Sequence, residues 1–219
     1  MGDNPAAQPR PQDNIDGDGR WMSIHERFLA EVKEKEPEVV FIGDSHIALL
    51  EQSDVYKEFF APLHGLCLGI RGDTTSNVLW RIQNGELEVI KPKVIVLLIG
   101  TNNRDQTPEQ ILGGIRAIVD HIVKKQPQAA LFVAKIPPRG EKPNPKRELL
   151  AKVNAGLQHA LADVPNCRIL DIDPGFIGAD GTIDHRDMYD YLHFTPQGYR
   201  KAFEIVHVAV TSVLNPDSA

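Results

Sequence analysis

The sequence predicts a doubly wound α/β sandwich built on a mostly parallel five-stranded sheet, and three observations predict it. Five short runs rich in Val, Ile and Leu recur along the chain: EVVFIGD (38–44), LCLGI (66–70), VIVLLIG (94–100), ALFVAKI (130–136) and RILDI (168–172). None alternates polar with apolar residues, the pattern of strands covered on both faces in a parallel sheet. Helical periodicities lie between them, and strand–helix alternation with right-handed crossovers gives the layered α/β arrangement.

Residues 1–20 are rich in Pro, Gly, Asp and Gln and read as a loose, flexible arm. Residues 21–215 read as one domain without linker or repeat. The helices announce themselves by their starts. Thr107-Pro108-Glu109-Gln110 combines an N-cap Thr, a Pro in the first turn and a Gln three residues on. Ile111, Leu112, Ile115, Ile118, Val119, Ile122 and Val123 then repeat at helical spacing. Leu149, Leu150, Val153, Leu157 and Leu161 form a second stripe. Thr195-Pro196 starts a third helix, carrying Tyr199, Phe203, Val206 and Val210.

Composition removes several function classes. With 219 residues, 42% hydrophobic and 25% charged, the chain has globular values and needs no staples. A net charge of −6 argues against a nucleic-acid or anionic-membrane partner. No apolar run approaches the roughly 18 residues of a membrane span. The acidic, polar first residues do not read as a signal peptide. Cys67 and Cys167 form neither a metal pattern nor a disulfide framework and read as reduced thiols of a cytoplasmic protein.

In doubly wound sheets, sites form at the carboxyl ends of strands. Ser45, Gly72 and Thr101-Asn102 each follow a predicted strand. Ser45 has two readings: an ordinary helix N-cap, or a nucleophile that needs a base from elsewhere in the chain. His46 is adjacent but badly placed for that, because neighbouring side chains point to different sides. Asp190 and His193, three apart before the Thr195-Pro196 helix start, can pair so that the carboxylate holds one ring nitrogen and aims the other at a hydroxyl. Their spacing brings no third metal ligand. Gly72, Asn102 and the Ser45 backbone N–H are candidate donors to an oxyanion. Singly each residue has a bland reading; together they point to acyl transfer by a serine.

The blocks GDS (43–45 with Gly43 and Asp44), GIRGD, GTNN and DYLH resemble the four signature blocks of the SGNH hydrolases. Longer stretches, among them DGRWMSIHERF, GDTTSNVLWRIQNGELE, IKPKVIVLLIGTNN and HRDMYDYLHF, resemble the catalytic α subunits of intracellular platelet-activating factor acetylhydrolase, type Ib, from about Gly17 to Leu214. The resemblance implies a flavodoxin-like three-layer sandwich and an esterase needing no metal or other cofactor. Ser45 would be its nucleophile, His193 its base and then acid, and Asp190 the orienter of His193. Ser45, Gly72 and Asn102 would form the oxyanion hole, with Thr101 and Leu192 at acyl-pocket positions and His46 touching that pocket. It implies an acetyl ether phospholipid as substrate, pairing of α subunits as homo- or heterodimers, and a β-propeller regulatory subunit of the lissencephaly-1 type.

Two positions depart from the family. His46 stands where the family carries Leu or a similar apolar residue, and Arg71 replaces a glycine in GIRGD. Arg71 can favour an anionic lipid head or simply face solvent. The alternative function is therefore a catalytically weak or inactive dimeric binding partner of the propeller protein. A nucleotide-binding role lacks its phosphate loop, since neither G-x-G-x-x-G nor G-x-x-x-x-G-K-[ST] occurs.

Overall fold

The computed structural model describes residues 4–216. Its sheet has five strands: β1 (Val39–Gly43), β2 (Gly65–Gly69), β3 (Val94–Leu98), β4 (Ala130–Ala134) and β5 (Cys167–Leu170). They stand in the order β2-β1-β3-β4-β5, and every pair is parallel. The strands are short and nearly all buried because both faces are covered.

The pleat divides the core in two. On one face Val40, Ile42, Ile95 and Leu97 pack with Phe28 and Val32 of α1 (Arg20–Glu34), Val78 of α3 (Thr75–Arg81), Ile111, Ile115 and Ile118 of α4 (Pro108–Lys125) and Val153 of α5 (Pro145–Ala160). On the other, Val39, Phe41, Val94 and Val96 pack with Ile47 of α2 (Ser45–Leu50), Phe60, and Phe203 and Val206 of α6 (Pro196–Leu214). Alternate residues of one strand therefore feed different helical layers, which is the three-layer sandwich expected. The helix starts carry the caps expected of them. The Thr107 hydroxyl accepts the Gln110 N–H while the Gln110 side chain accepts the Thr107 N–H, and the Thr195 hydroxyl accepts the Gly198 N–H.

The N-terminal segment is docked rather than loose. Residues 1–3 lie outside the described residues. From Asn4 onward, the Asn4 amide donates to the Gln110 carbonyl (2.9 Å), and the Thr75 and Ser76 hydroxyls donate to the carbonyls of Ala6 (2.7 Å) and Pro5 (2.8 Å). Ala6 is fully buried. The polar composition of the segment, which suggested a free arm, satisfies backbone and side-chain groups of α3 and α4 instead.

A buried ionic chain runs beneath the β1 and β2 ends. Arg81 donates through Nε to Asp73 (2.8 Å) and through Nη1 to Glu86, and Nη2 reaches the Gly43 and Leu68 carbonyls (3.2 and 3.1 Å). Glu86 also meets His25 Nδ1 at 2.8 Å, and all of these side chains are buried. Arg81→Met removes the shared cation and leaves two buried carboxylates. We expect a loss of about 3–5 kcal/mol, a fall in Tm of about 10 °C by thermal unfolding; a Tm within about 2 °C of wild type would contradict it.

Candidate active site

β1 runs into Gly43-Asp44, and Asp44 caps the next helix: its Oδ1 accepts the His46 N–H at 3.0 Å. The capping role thus falls to Asp44, and Ser45, the first residue of α2, keeps its hydroxyl for another partner. That partner is His193, whose Nε2 lies 2.9 Å from Ser45 Oγ. His193 Nδ1 lies 2.6 Å from Asp190 Oδ2. A carboxylate can only accept, so Nδ1 carries the hydrogen and Nε2 is left to accept the serine hydroxyl.

The segment from Asp190 to His193 is shaped for this. Tyr191 takes φ +58°, a left-handed conformation costing a bulky residue about 1–2 kcal/mol. The turn lets Asp190 Oδ1 accept the N–H groups of both Leu192 (3.1 Å) and His193 (2.7 Å), while the Gly140 N–H holds the Tyr191 carbonyl (2.7 Å). Partial burial raises the Asp190 pKa, but the hydrogen bonds and charge of His193 and the Leu192 N–H outweigh it and the net shift is downward. The stabilisation from these contacts is therefore present above the ordinary carboxylate range, about pH 4, and is lost as pH falls through the lowered folded value. Ser45 is only 4% exposed, whereas the Asp190 side chain is 42% exposed. The hydroxyl is sheltered and its supporting carboxylate sits at the rim.

The strand order sets β2 and β3 on either side of β1, so the loops bearing Gly72, Ser45 and Asn102 are neighbours at one sheet edge. Gly72 has φ +81°, and a Cβ there would meet the Gln12 side chain at 3.2 Å. The Asn102 amide donates to the Asp73 carbonyl at 3.0 Å, tying the two flanking loops together. Gly72 and Asn102 line one open cleft of about 590 Å³ together with Arg10, Gln12 and Arg104. Arg71 points its side chain to solvent while its carbonyl accepts from Gln12 (3.1 Å).

The expected acyl-pocket residues are arranged differently from one another. His46 is buried, its Nδ1 3.0 Å from Asp44 Oδ1 and its Nε2 3.0 Å from the Leu192 carbonyl, so neither ring nitrogen is free for a ligand. Leu192 is half-buried. Thr101 is buried, its carbonyl and hydroxyl taking Arg139 Nη1 at 3.0 and 3.3 Å. Sequence reasoning missed the supports around the site: Gln12 and Trp21, which both donate to Asp73 Oδ1 (3.2 and 2.7 Å), and Arg139. No motif marks them, because each acts across 38 residues or more of sequence.

Residues 41–201, spanning the serine, both flanking loops and the Asp–His pair, match the GDSL-like lipase/acylhydrolase family. The chain belongs to that family. It is 51% identical over 216 residues to platelet-activating factor acetylhydrolase IB subunit alpha1 of Rattus norvegicus, covering 99% of this chain and 93% of that one. It is 52% identical over 211 residues to subunit alpha2 of Gallus gallus, covering 96% and 92%. In fold it is similar to a GDSL-like lipase of Bacteroides thetaiotaomicron, with TM-score 0.71 and 19% identity over 85% of this chain and 96% of that one. This GDSL-like chain is accordingly an ester hydrolase. No helix among the described residues is long and apolar enough to cross a membrane.

Proposed function

We propose that this GDSL-like hydrolase cleaves short acyl esters, foremost the acetyl ester of ether phospholipids, with Ser45 as nucleophile, His193 as base and then acid, and Asp190 as the orienter of His193. The observation that carries the reading is the unbroken chain Ser45 Oγ–His193 Nε2–His193 Nδ1–Asp190 Oδ2, at 2.9 and 2.6 Å.

Ser45 Oγ attacks the ester carbonyl carbon as Nε2 takes its proton. The tetrahedral oxyanion accepts hydrogen bonds from the N–H groups of Ser45 and Gly72 and from the second amide hydrogen of Asn102, whose first is committed to Asp73. The alcohol departs with the proton held on Nε2. Water, deprotonated by His193, then attacks the acyl-serine, and the carboxylic acid leaves as Oγ recovers a proton. The cleft beside Gly72 and Asn102 gives the alcohol portion room. Asn102→Ala removes one oxyanion donor, and kcat is expected to fall roughly 10²–10³-fold with KM little changed. A kcat within about threefold of wild type would remove Asn102 from this role.

The acetyl preference and the lipid rest on the alpha1 and alpha2 relatives, named as subunits of a platelet-activating factor acetylhydrolase. Thr101 and Leu192 would flank the acyl group. The word subunit in those names supports a chain that works within a complex, which we take to be a dimer of α subunits with a β-propeller regulatory subunit in the cytoplasm. The test is hydrolysis of a graded set of esters, acetyl through hexanoyl, by the purified chain. Fastest cleavage of the acetyl ester supports the reading; a preference for longer chains moves the substrate, and no hydrolysis leaves the dimeric binding role.

A further inference from the structure

We propose that His46 is a doubly protonated positioning residue that bridges the nucleophile turn to the loop carrying His193, and so holds Ser45 and His193 in register. The inference rests on the esterase reading for its kinetic consequence and on geometry for its substance.

The geometry fixes the protons. Asp44 Oδ1 already accepts the His46 backbone N–H at 3.0 Å and lies 3.0 Å from His46 Nδ1. A carbonyl oxygen, that of Leu192, lies 3.0 Å from Nε2. Both neighbours are acceptors, so a lone pair on either ring nitrogen would face another lone pair. Only an imidazolium satisfies both, and in this buried position an unsatisfied contact is costly. Leu192 directly precedes His193. Within this loop the Tyr191 and His193 carbonyls are held by the N–H groups of Gly140 (2.7 Å) and Tyr189 (3.1 Å). His46 holds the Leu192 carbonyl between them. Its own backbone is fixed in turn, since the Tyr199 hydroxyl on α6 donates to the His46 carbonyl at 2.7 Å.

The charged and titratable groups around His46 agree with that state. Asp44 faces it from the β1–α2 turn, His193 from the loop at 5.9 Å between ring centres, Tyr199 from α6, and Arg139 from beyond β4. Burial alone drives the His46 pKa down. The Asp44 charge and hydrogen bond and the Leu192 carbonyl outweigh it against the opposing Arg139 charge, and the net shift is upward. The His46 charge is matched by Asp44, so the pair presents little net charge to His193. With the folded value above the unfolded one, about 6.5, the bridge stabilises fully below that pH and is lost as pH rises through the folded value. On deprotonation Asp44 keeps the hydrogen on Nδ1. Nε2 then turns a lone pair to Leu192, and the loop loses its tether.

The test combines two readouts on the full chain. In ¹⁵N-histidine-labelled protein, with His46 assigned by its absence from His46→Gln, both His46 nitrogens should be protonated at pH 7 and titrate above about 6.5. A neutral single tautomer at pH 7 overturns the proposal. In kinetics, His46→Ala should lower kcat about 10- to 100-fold through misplacement of the loop. His46→Gln, whose amide can still donate to Leu192, should recover most of that loss. Wild-type kcat should fall at alkaline pH with the midpoint read by NMR, and His46→Gln should lack that limb. Identical pH profiles, or equal kcat in the Ala and Gln variants, overturn the positioning role. A chain that cleaves no ester overturns the esterase reading alone, because the NMR arm still decides the bridge.

Discussion

Ser45→Ala is expected to lower kcat on a short acyl ester by about 10⁶-fold, the loss that follows removal of a triad nucleophile. The size follows from the arrangement. Ser45 Oγ is the atom at the end of the His193–Asp190 relay, and an alanine methyl neither attacks a carbonyl nor yields a proton. Ser45 does not cap α2, since Asp44 does, so the substitution leaves the helix start intact and thermal stability close to wild type. A large kinetic loss without a thermal one separates chemistry from folding. Turnover that survives the substitution would mean that another group performs the attack.

Asp190→Asn is expected to lower kcat by about 10⁴-fold. The carboxylate accepts from His193 Nδ1 and so leaves Nε2 as the acceptor of the serine proton. An asparagine amide turned toward Nδ1 donates instead, places the ring hydrogen on Nε2, and the base is lost while the ring stays in place. The Oδ1 that accepts from the Leu192 and His193 backbone is retained as the amide oxygen or replaced by a donor, depending on which way the amide turns. Loss of those two contacts would loosen the loop as well, so Asp190→Ala should be no more active than Asp190→Asn. A loss below about tenfold in Asp190→Asn would show that His193 is oriented by something other than this carboxylate.

Much of the fold was legible because its signals are local. Five apolar runs gave five strands, and the Thr107 and Thr195 caps gave two helix starts at the residue. The candidate site residues could be picked out because Ser45, Gly72 and Asn102 each follow a strand end, and Asp190 and His193 lie within one turn of each other. What composition hid was docking. Residues 4–13 look like free polar chain, yet their hydrogen bonds reach residues 59 to 106 positions away. The same holds for His46. Its position beside Ser45 marked it for the acyl pocket, but nothing in the sequence showed that its ring would meet the carbonyl of Leu192, 146 residues on. Pairing across such separations leaves no periodicity to read.

The most direct test of the account is covalent labelling of the wild-type chain by a fluorophosphonate, followed by peptide mapping. One equivalent should bind, on Ser45 alone, with labelling abolished in Ser45→Ala and strongly slowed in Asp190→Asn. Failure to label the folded wild-type chain, or label found on another residue, would contradict it.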